Sequence, residues 1–297
     1  MTMTVSWQHL LLAVLVMAIW GTNFTITALA LQEFPPLVLA ALRFLFAFFP
    51  VALFVRRPAV AWSNLAAYGV LIGLGQFGLM FFAMTRFISP GLASLVIQTQ
   101  AIFTVLLAVV LTREHVRPMQ WLAILLAAAG VAVILVHRDG QTTVPGVAMI
   151  LGAAMCWSVA NMVSRAAGQV DMLAYVVWGS LFSFPPLMLA AVLGEGWGVV
   201  IQSMTNATWI GWSSVFWQAF ANAIFGYGIW AWLLSRHPAA TIAPMSLLVP
   251  VFGMLTSALV LHEPMQSWKL LAAALVLGGL ALGLMGPKLA ARFGARP

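Results

Sequence analysis

A chain of 297 residues is long enough for one or two soluble domains, but a composition of 63% hydrophobic and 6% charged residues excludes that class, whose members carry about 25% charged residues. The formal net charge of +7 would point to nucleic acid in a soluble protein, yet the basic residues lie scattered between apolar runs and in the tail and make no basic face, so no nucleic-acid partner is expected. The one cysteine, Cys156, excludes an internal disulfide and a thiolate metal cluster and reads as a small buried filler.

Before Arg43 the N-terminus holds no Lys or Arg, and its first apolar stretch is too long for the core of a secretory signal, so it is expected to remain as a first helix. A spanning helix needs about 20 mainly apolar residues. Such stretches fall at 10–31, 36–55, 66–85, 91–111, 119–136, 145–166, 172–193, 209–234, 240–261 and 268–286. The breaks carry turn residues: Pro35-Pro36, Pro58, Pro90-Gly91, Gly140 and Pro238. In lipid only helices or closed barrels satisfy the backbone, and barrel strands would alternate polar and apolar residues, which these stretches do not. The expected fold class is therefore an all-α integral membrane protein with ten transmembrane helices, short connections and the lipid bilayer as its solvent.

Basic residues in the short loops set the orientation. With the N-terminus in the cytoplasm, Arg56, Arg57, Arg113, Arg117, Arg165, Arg236, Lys288, Arg292 and Arg296 fall on the cytoplasmic side, against Arg86, Arg138 and Lys269 outside. Both termini are expected in the cytoplasm.

The chain also repeats itself. Ser89-Pro90-Gly91 opens the fourth span and His237-Pro238-Ala239 the ninth; the prolines lie 148 residues apart. Those spans close on Glu114 and Glu263, 149 residues apart. Trp20 corresponds to Trp157, and Phe49-Pro50 to Phe184-Pro185. Two halves are expected, 1–137 and 145–297, the second ending in a short basic tail. Five helices per half is an odd number, so the second half must run inverted. Inverted repeats mark transporters that bind substrate near the membrane midplane. A channel would show a charged ring or a carbonyl filter, and an enzyme a motif such as H-E-x-x-H or G-x-S-x-G; neither is evident, and no catalytic residue, metal or cofactor is expected.

Polar residues inside spans are costly and mark function by default. Trp20 with Asn23, and Trp157 with Asn161, each share a helix face at corresponding places in the two halves; either a substrate site or interhelical hydrogen bonding accounts for the asparagines. Gln76 stands in the third span. Ser94 and Gln98 make one stripe on the fourth, with Gln100 some 200° around the helix from Gln98. Tyr227, between Gly226 and Gly228, presents its hydroxyl to a cavity or packs between helices. Pro250 frees the carbonyl of Ser246, for a substrate ammonium, a water or a neighbouring hydroxyl. Arg43 stands about 10 Å into the second span, to receive a carboxylate, to snorkel to the outer interface or to pair with Glu33 or Glu263. Glu114 and Glu263, at span ends, read as gates paired with nearby basic side chains.

Taken together, these residues resemble a known family. Trp20-Gly21-Thr22-Asn23-Phe24, Pro35-Pro36 and Arg43-Phe44 are similar to the opening of the EamA family of the drug/metabolite transporter superfamily, and the closing glutamates, Gly130 and Gly278-Gly279 fit its ends. Gly91 to Ala101, Gly226-Tyr227-Gly228 and Ala243 to Pro250 look most like its cysteine/O-acetylserine (amino-acid) exporter type; Ala101 departs from the wider superfamily, where many members have a proline matching Pro250. The resemblance implies a monomeric exporter in the bacterial inner membrane, moving small zwitterionic amino acids or related metabolites by alternating access. The alternative on the same fold is other small metabolites or drugs, including sugar phosphates.

Overall fold

The structure, a computed structural model, describes residues 6–112, 118–137 and 141–292, and all its regular elements are helical. Nine helices are long and apolar enough to cross a membrane among the described residues. They are α1 (Trp7–Ala30), α2 (Pro36–Leu53), α3 (Trp62–Arg86), α4 (Pro90–Val110), α5 (Pro118–Val136), α6 (Val144–Ala166), α7 (Met172–Glu195), α9 (Ala243–Val260) and α10 (Ser267–Leu284). Between α7 and α9 a tenth helical path, α8, runs without interruption over 209–236. Its apolar character is diluted by Gln218 and Asn222, both buried, because α8 turns a polar stripe inward.

Five spans depart from the α-helix, α2 only in its closing 3-10 turn at Val51–Leu53. α3 carries a π-helical stretch at Leu71–Gly78, and α8 one at Trp217–Phe225. α4 tightens to 3-10 geometry at Ile97–Thr99, and α9 begins in it at Ala243–Leu247, where Pro244 and Pro250 remove backbone donors. π stretches are rare and recur at functional sites.

Glycines allow the close approaches. A Cβ at Gly69 would meet Gly179 of α7, one at Gly73 would meet Ser183, and one at Gly21 would meet Val249 and Phe252 of α9. α5 and α10 form a pair in which Gly130 receives Ala272 and Val276 while Gly279 lies on Ala123 and Ala127, the small-residue contact that lipid-embedded helices favour. Contacts along α4 and α9 run in opposite order: Gly91 meets Glu263, Ser94 meets Gly253 and Gln98 meets Ser246. These two spans are therefore antiparallel.

One connection is not short. A ten-residue helix, Trp197–Asn206, follows the positive-φ Gly196; it buries Val200 and leaves Trp197, Val199 and Ile201 exposed. The pattern is that of a helix lying along a membrane surface, and its brevity hid it among the turn residues on either side.

A polar cavity between the spans

The irregular stretches converge on one cavity of about 1100 Å³. α1 supplies Trp20 and Asn23, the π stretch of α3 supplies Gln76 and Phe77, and the 3-10 turn of α4 brings Gln98. Opposite them stand Trp157 and Asn161 of α6, Asn222 and Tyr227 of α8, and Ser246 of α9. Each enters where the helix is wound differently from its flanks or where an aromatic holds the wall open. The lining also takes in Gly168, Gln169, Asp171, Leu234 and Ser235, which are exposed, so the cavity opens beside the α6–α7 connection and the end of α8. Asp171 is the one charged residue of the lining among the described residues, and its carboxylate caps α7 by accepting from the N–H groups of Leu173 and Ala174.

Hydrogen bonds fix most of the wall. The Trp20 indole donates to the Asn222 carbonyl at 3.0 Å, and its ring stands 5.4 Å from Tyr227 and 5.6 Å from Trp230. The Asn161 amide donates to Gln100 Oε1 at 3.1 Å and Thr104 Oγ1 at 3.3 Å. The Gln98 amide donates to the Ser246 carbonyl at 3.3 Å, so the carbonyl freed by Pro250 is taken by a side chain of the fourth span. Asn23 is left over: its Oδ1 is buried without a partner. An amide oxygen held ready in this way suits an incoming N–H donor, since an unmet buried acceptor costs about 1–3 kcal/mol.

Just beyond the far end of α9 lies a buried polar cluster. Glu263, 7% exposed, accepts from Ser89 Oγ and Ser257 Oγ at 2.5 Å each, from the Gly91 N–H at 3.1 Å and from Lys269 Nζ at 3.0 Å. Four donors on one carboxylate tie the start of α4, the end of α9 and the start of α10 together. The expected basic partner of Glu263 is thus Lys269, and the pair is buried rather than at a wet helix end. Glu114 lies outside the described residues.

Three further expectations are corrected by the packing. Ser94 is fully buried, donates to the Gly91 carbonyl at 2.6 Å and lies against Gly253, so it is a contact between α4 and α9 and no part of the cavity wall. Gln100 does line the cavity beside Gln98. The 3-10 turn between them advances about 120° per residue instead of 100°, which narrows the angle between the two side chains, and the length of the Gln100 side chain covers the rest. Arg43 neither snorkels nor pairs with a glutamate. It is 2% exposed, and Glu33 is engaged by the Thr208 N–H at 2.6 Å and hydroxyl at 2.7 Å. Gln218 and Asn222 escaped the sequence reading, although two amides four residues apart in an apolar run are the signal that marks a polar helix face.

Comparison with known proteins agrees with this architecture. The model of the EamA-like transporter family matches twice, over residues 7–136 and 144–285. A protein of Salmonella typhimurium named as a probable amino-acid metabolite efflux pump is 37% identical over 281 residues, covering 93% of this chain and 94% of its own. One of the same name from Escherichia coli is 35% identical over 281 residues with the same coverage. A solved crystal structure superposes with a TM-score of 0.64 at 22% identity, over 96% of this chain and 98% of its own, a likeness of fold alone. With both family matches falling on the helices that wall the cavity, the chain is a multi-pass membrane protein and belongs to the EamA-like transporter family.

Proposed function

We propose that this protein exports small zwitterionic amino acids and related metabolites by alternating access, with the 1100 Å³ cavity as the substrate site. The observation that carries the reading is a cavity that opens beside exposed residues at one end and is walled by uncharged amides and indoles. A zwitterion needs both donors and acceptors and no net charge around it, and the amides of Asn23, Gln76, Gln98, Asn161 and Asn222 offer both. The unmet Asn23 Oδ1 is the acceptor we assign to the substrate ammonium. Phosphorylated sugars would ask for several cations in the wall, and among the described residues the lining holds no Lys or Arg.

The halves 1–137 and 145–297 are taken as inverted repeats. In support, the family model matches once in each. The π stretches occupy the third span of each half, the 3-10 stretches Ile97–Thr99 and Ala243–Leu247 lie in the fourth, and α4 runs antiparallel to its counterpart α9. With both termini in the cytoplasm, the mouth beside the α6–α7 connection faces the cytoplasm and the Glu263 cluster, taken as the seal, faces outward. Substrate enters from inside, and breaking the seal releases it.

Counterflow of a labelled amino-acid panel in proteoliposomes tests the reading. Acceleration of labelled uptake by an internal load of unlabelled neutral amino acid is expected. Exchange of sugar phosphates with none of the amino acids would overturn it.

A further inference from the structure

Arg43 is an ion without a counter-ion. Its Nε and Nη1 are buried with no hydrogen-bond partner, and Nη2 has only a long contact of 3.4 Å to Asn222 Oδ1. No carboxylate of the described residues lies within 4.0 Å of it. The guanidinium is 3.7 Å from the ring centre of Phe77 and 5.1 Å from that of Phe44. Such stacking is worth about 2 kcal/mol when desolvated, whereas the burial of an ion costs several. A side chain held at that cost, with two donors directed at nothing, fits a site completed by an anion.

The donors border a small void of about 10 Å³, room for one water-sized atom. Ser180 and Ser183 border it too, but their hydroxyls are spent on the carbonyls of Val176 and Gly69 at 2.8 and 2.7 Å. Phe77 and Tyr227 border both this void and the large cavity. With Asn222, which lines the large cavity and meets Nη2, these two rings stand between Arg43 and the substrate site.

We propose that Arg43 is the residue that recognises the substrate's carboxylate, reached when the side chains of Phe77 and Tyr227 turn aside. This deepens the amino-acid reading above and rests on it. The planar guanidinium meets a carboxylate with two parallel N–H bonds, and the ammonium is left toward the amide wall. A site that holds buried donors for one group rejects analogues lacking it, because those donors stay unpaired.

The test uses full-length protein in proteoliposomes and counterflow of a labelled neutral amino acid, with the same amino acid, its carboxamide and its decarboxylated amine as competitors. Wild type should require at least roughly tenfold more of the amide or amine for half-inhibition. Arg43→Gln should bring the competitors to within about threefold of one another, and Arg43→Lys, keeping the charge but not the fork, should fall between. Equal competition by acid and amide in wild type, or a Gln variant that still discriminates tenfold, overturns the proposal. If Arg43→Gln does not reach the membrane, the wild-type series decides alone. Loss of wild-type discrimination when gluconate replaces chloride would assign the charge to a halide instead, and overturns it as well. Absence of any amino-acid counterflow would sink the exporter reading separately. Thermal stabilisation of the purified protein by propionate, present in wild type and lost in Arg43→Gln, would then still uphold the carboxylate site, and its absence would end it.

Discussion

Glu263 gathers two hydroxyls, a backbone N–H and an ammonium around one buried carboxylate, and the consequences of altering it can be ranked. Removing one partner of a buried ion pair costs about 3–5 kcal/mol, while replacing both by apolar groups is often neutral. Glu263→Gln is therefore expected to lower the thermal midpoint in detergent markedly. Glu263→Leu with Lys269→Met is expected to be more stable than Glu263→Leu alone, which leaves the ammonium buried without its carboxylate, though both lose the acceptor of Ser89, Ser257 and Gly91. A double variant no better than the single one would contradict the pairing. In the cavity, Gln98→Ala leaves the Ser246 carbonyl without its donor, a stability cost of about 1–3 kcal/mol, and, by removing a wall amide from the substrate, is expected to slow transport roughly tenfold, about 1.4 kcal/mol in binding. Normal counterflow at matched expression would remove Gln98 from the site. At this scale the sequence was readable where partners are close along the chain: a nearby basic side chain is expected for Glu263, and Lys269, six residues on, is that partner. It was silent where they arrive from another span: Ser89 for Glu263, Asn222 for Arg43, Thr208 for Glu33.

Among the elements, the α5–α10 pair gives the sharpest contrast. A Cβ at Gly279 would press into the backbone of Ala123 and Ala127, while one at Gly278, the next residue, would meet nothing within 4 Å. Gly279→Leu should destabilise the protein by about 1–3 kcal/mol through overpacking, and Gly278→Leu should leave the thermal midpoint nearly unchanged or raise it, since Gly is a poor helix former. Equal effects in thermal unfolding would mean the pair packs through another face. Spans of this kind were legible to within a few residues, because about 20 apolar residues between turn signals admit few other readings in lipid. The π and 3-10 stretches were not. Nothing in the propensity of Leu71–Gly78 or Trp217–Phe225 separates one extra residue per turn from a regular helix; the winding is decided by what packs against it. The site depends on those stretches, so its faces were read less well than its helices.

For the molecule as a whole, the question is what energy turns it. A proton-driven exporter needs a titratable group whose protonation competes with substrate or controls the switch, commonly a carboxylate or histidine inside the membrane. Among the described residues the cavity wall holds none apart from Asp171 at its exposed mouth, where the carboxylate is engaged in capping α7. Glu263 is the one buried carboxylate of the described residues, and it belongs to the seal, with α9 separating it from the mouth. Arg43 carries its charge throughout, so it can hold a carboxylate but cannot relay a proton. The expected behaviour is exchange and downhill flux without a pH requirement. An imposed pH gradient at fixed substrate concentration should change the initial rate less than about twofold, a shift under 0.5 kcal/mol in the barrier. Accumulation of a neutral amino acid against its gradient, driven by pH alone and abolished by a protonophore, would overturn this. Glu263→Gln then separates two routes: if the variant keeps exchange but loses accumulation, the seal itself carries the proton, by surrendering Lys269 when protonated and opening the outer end.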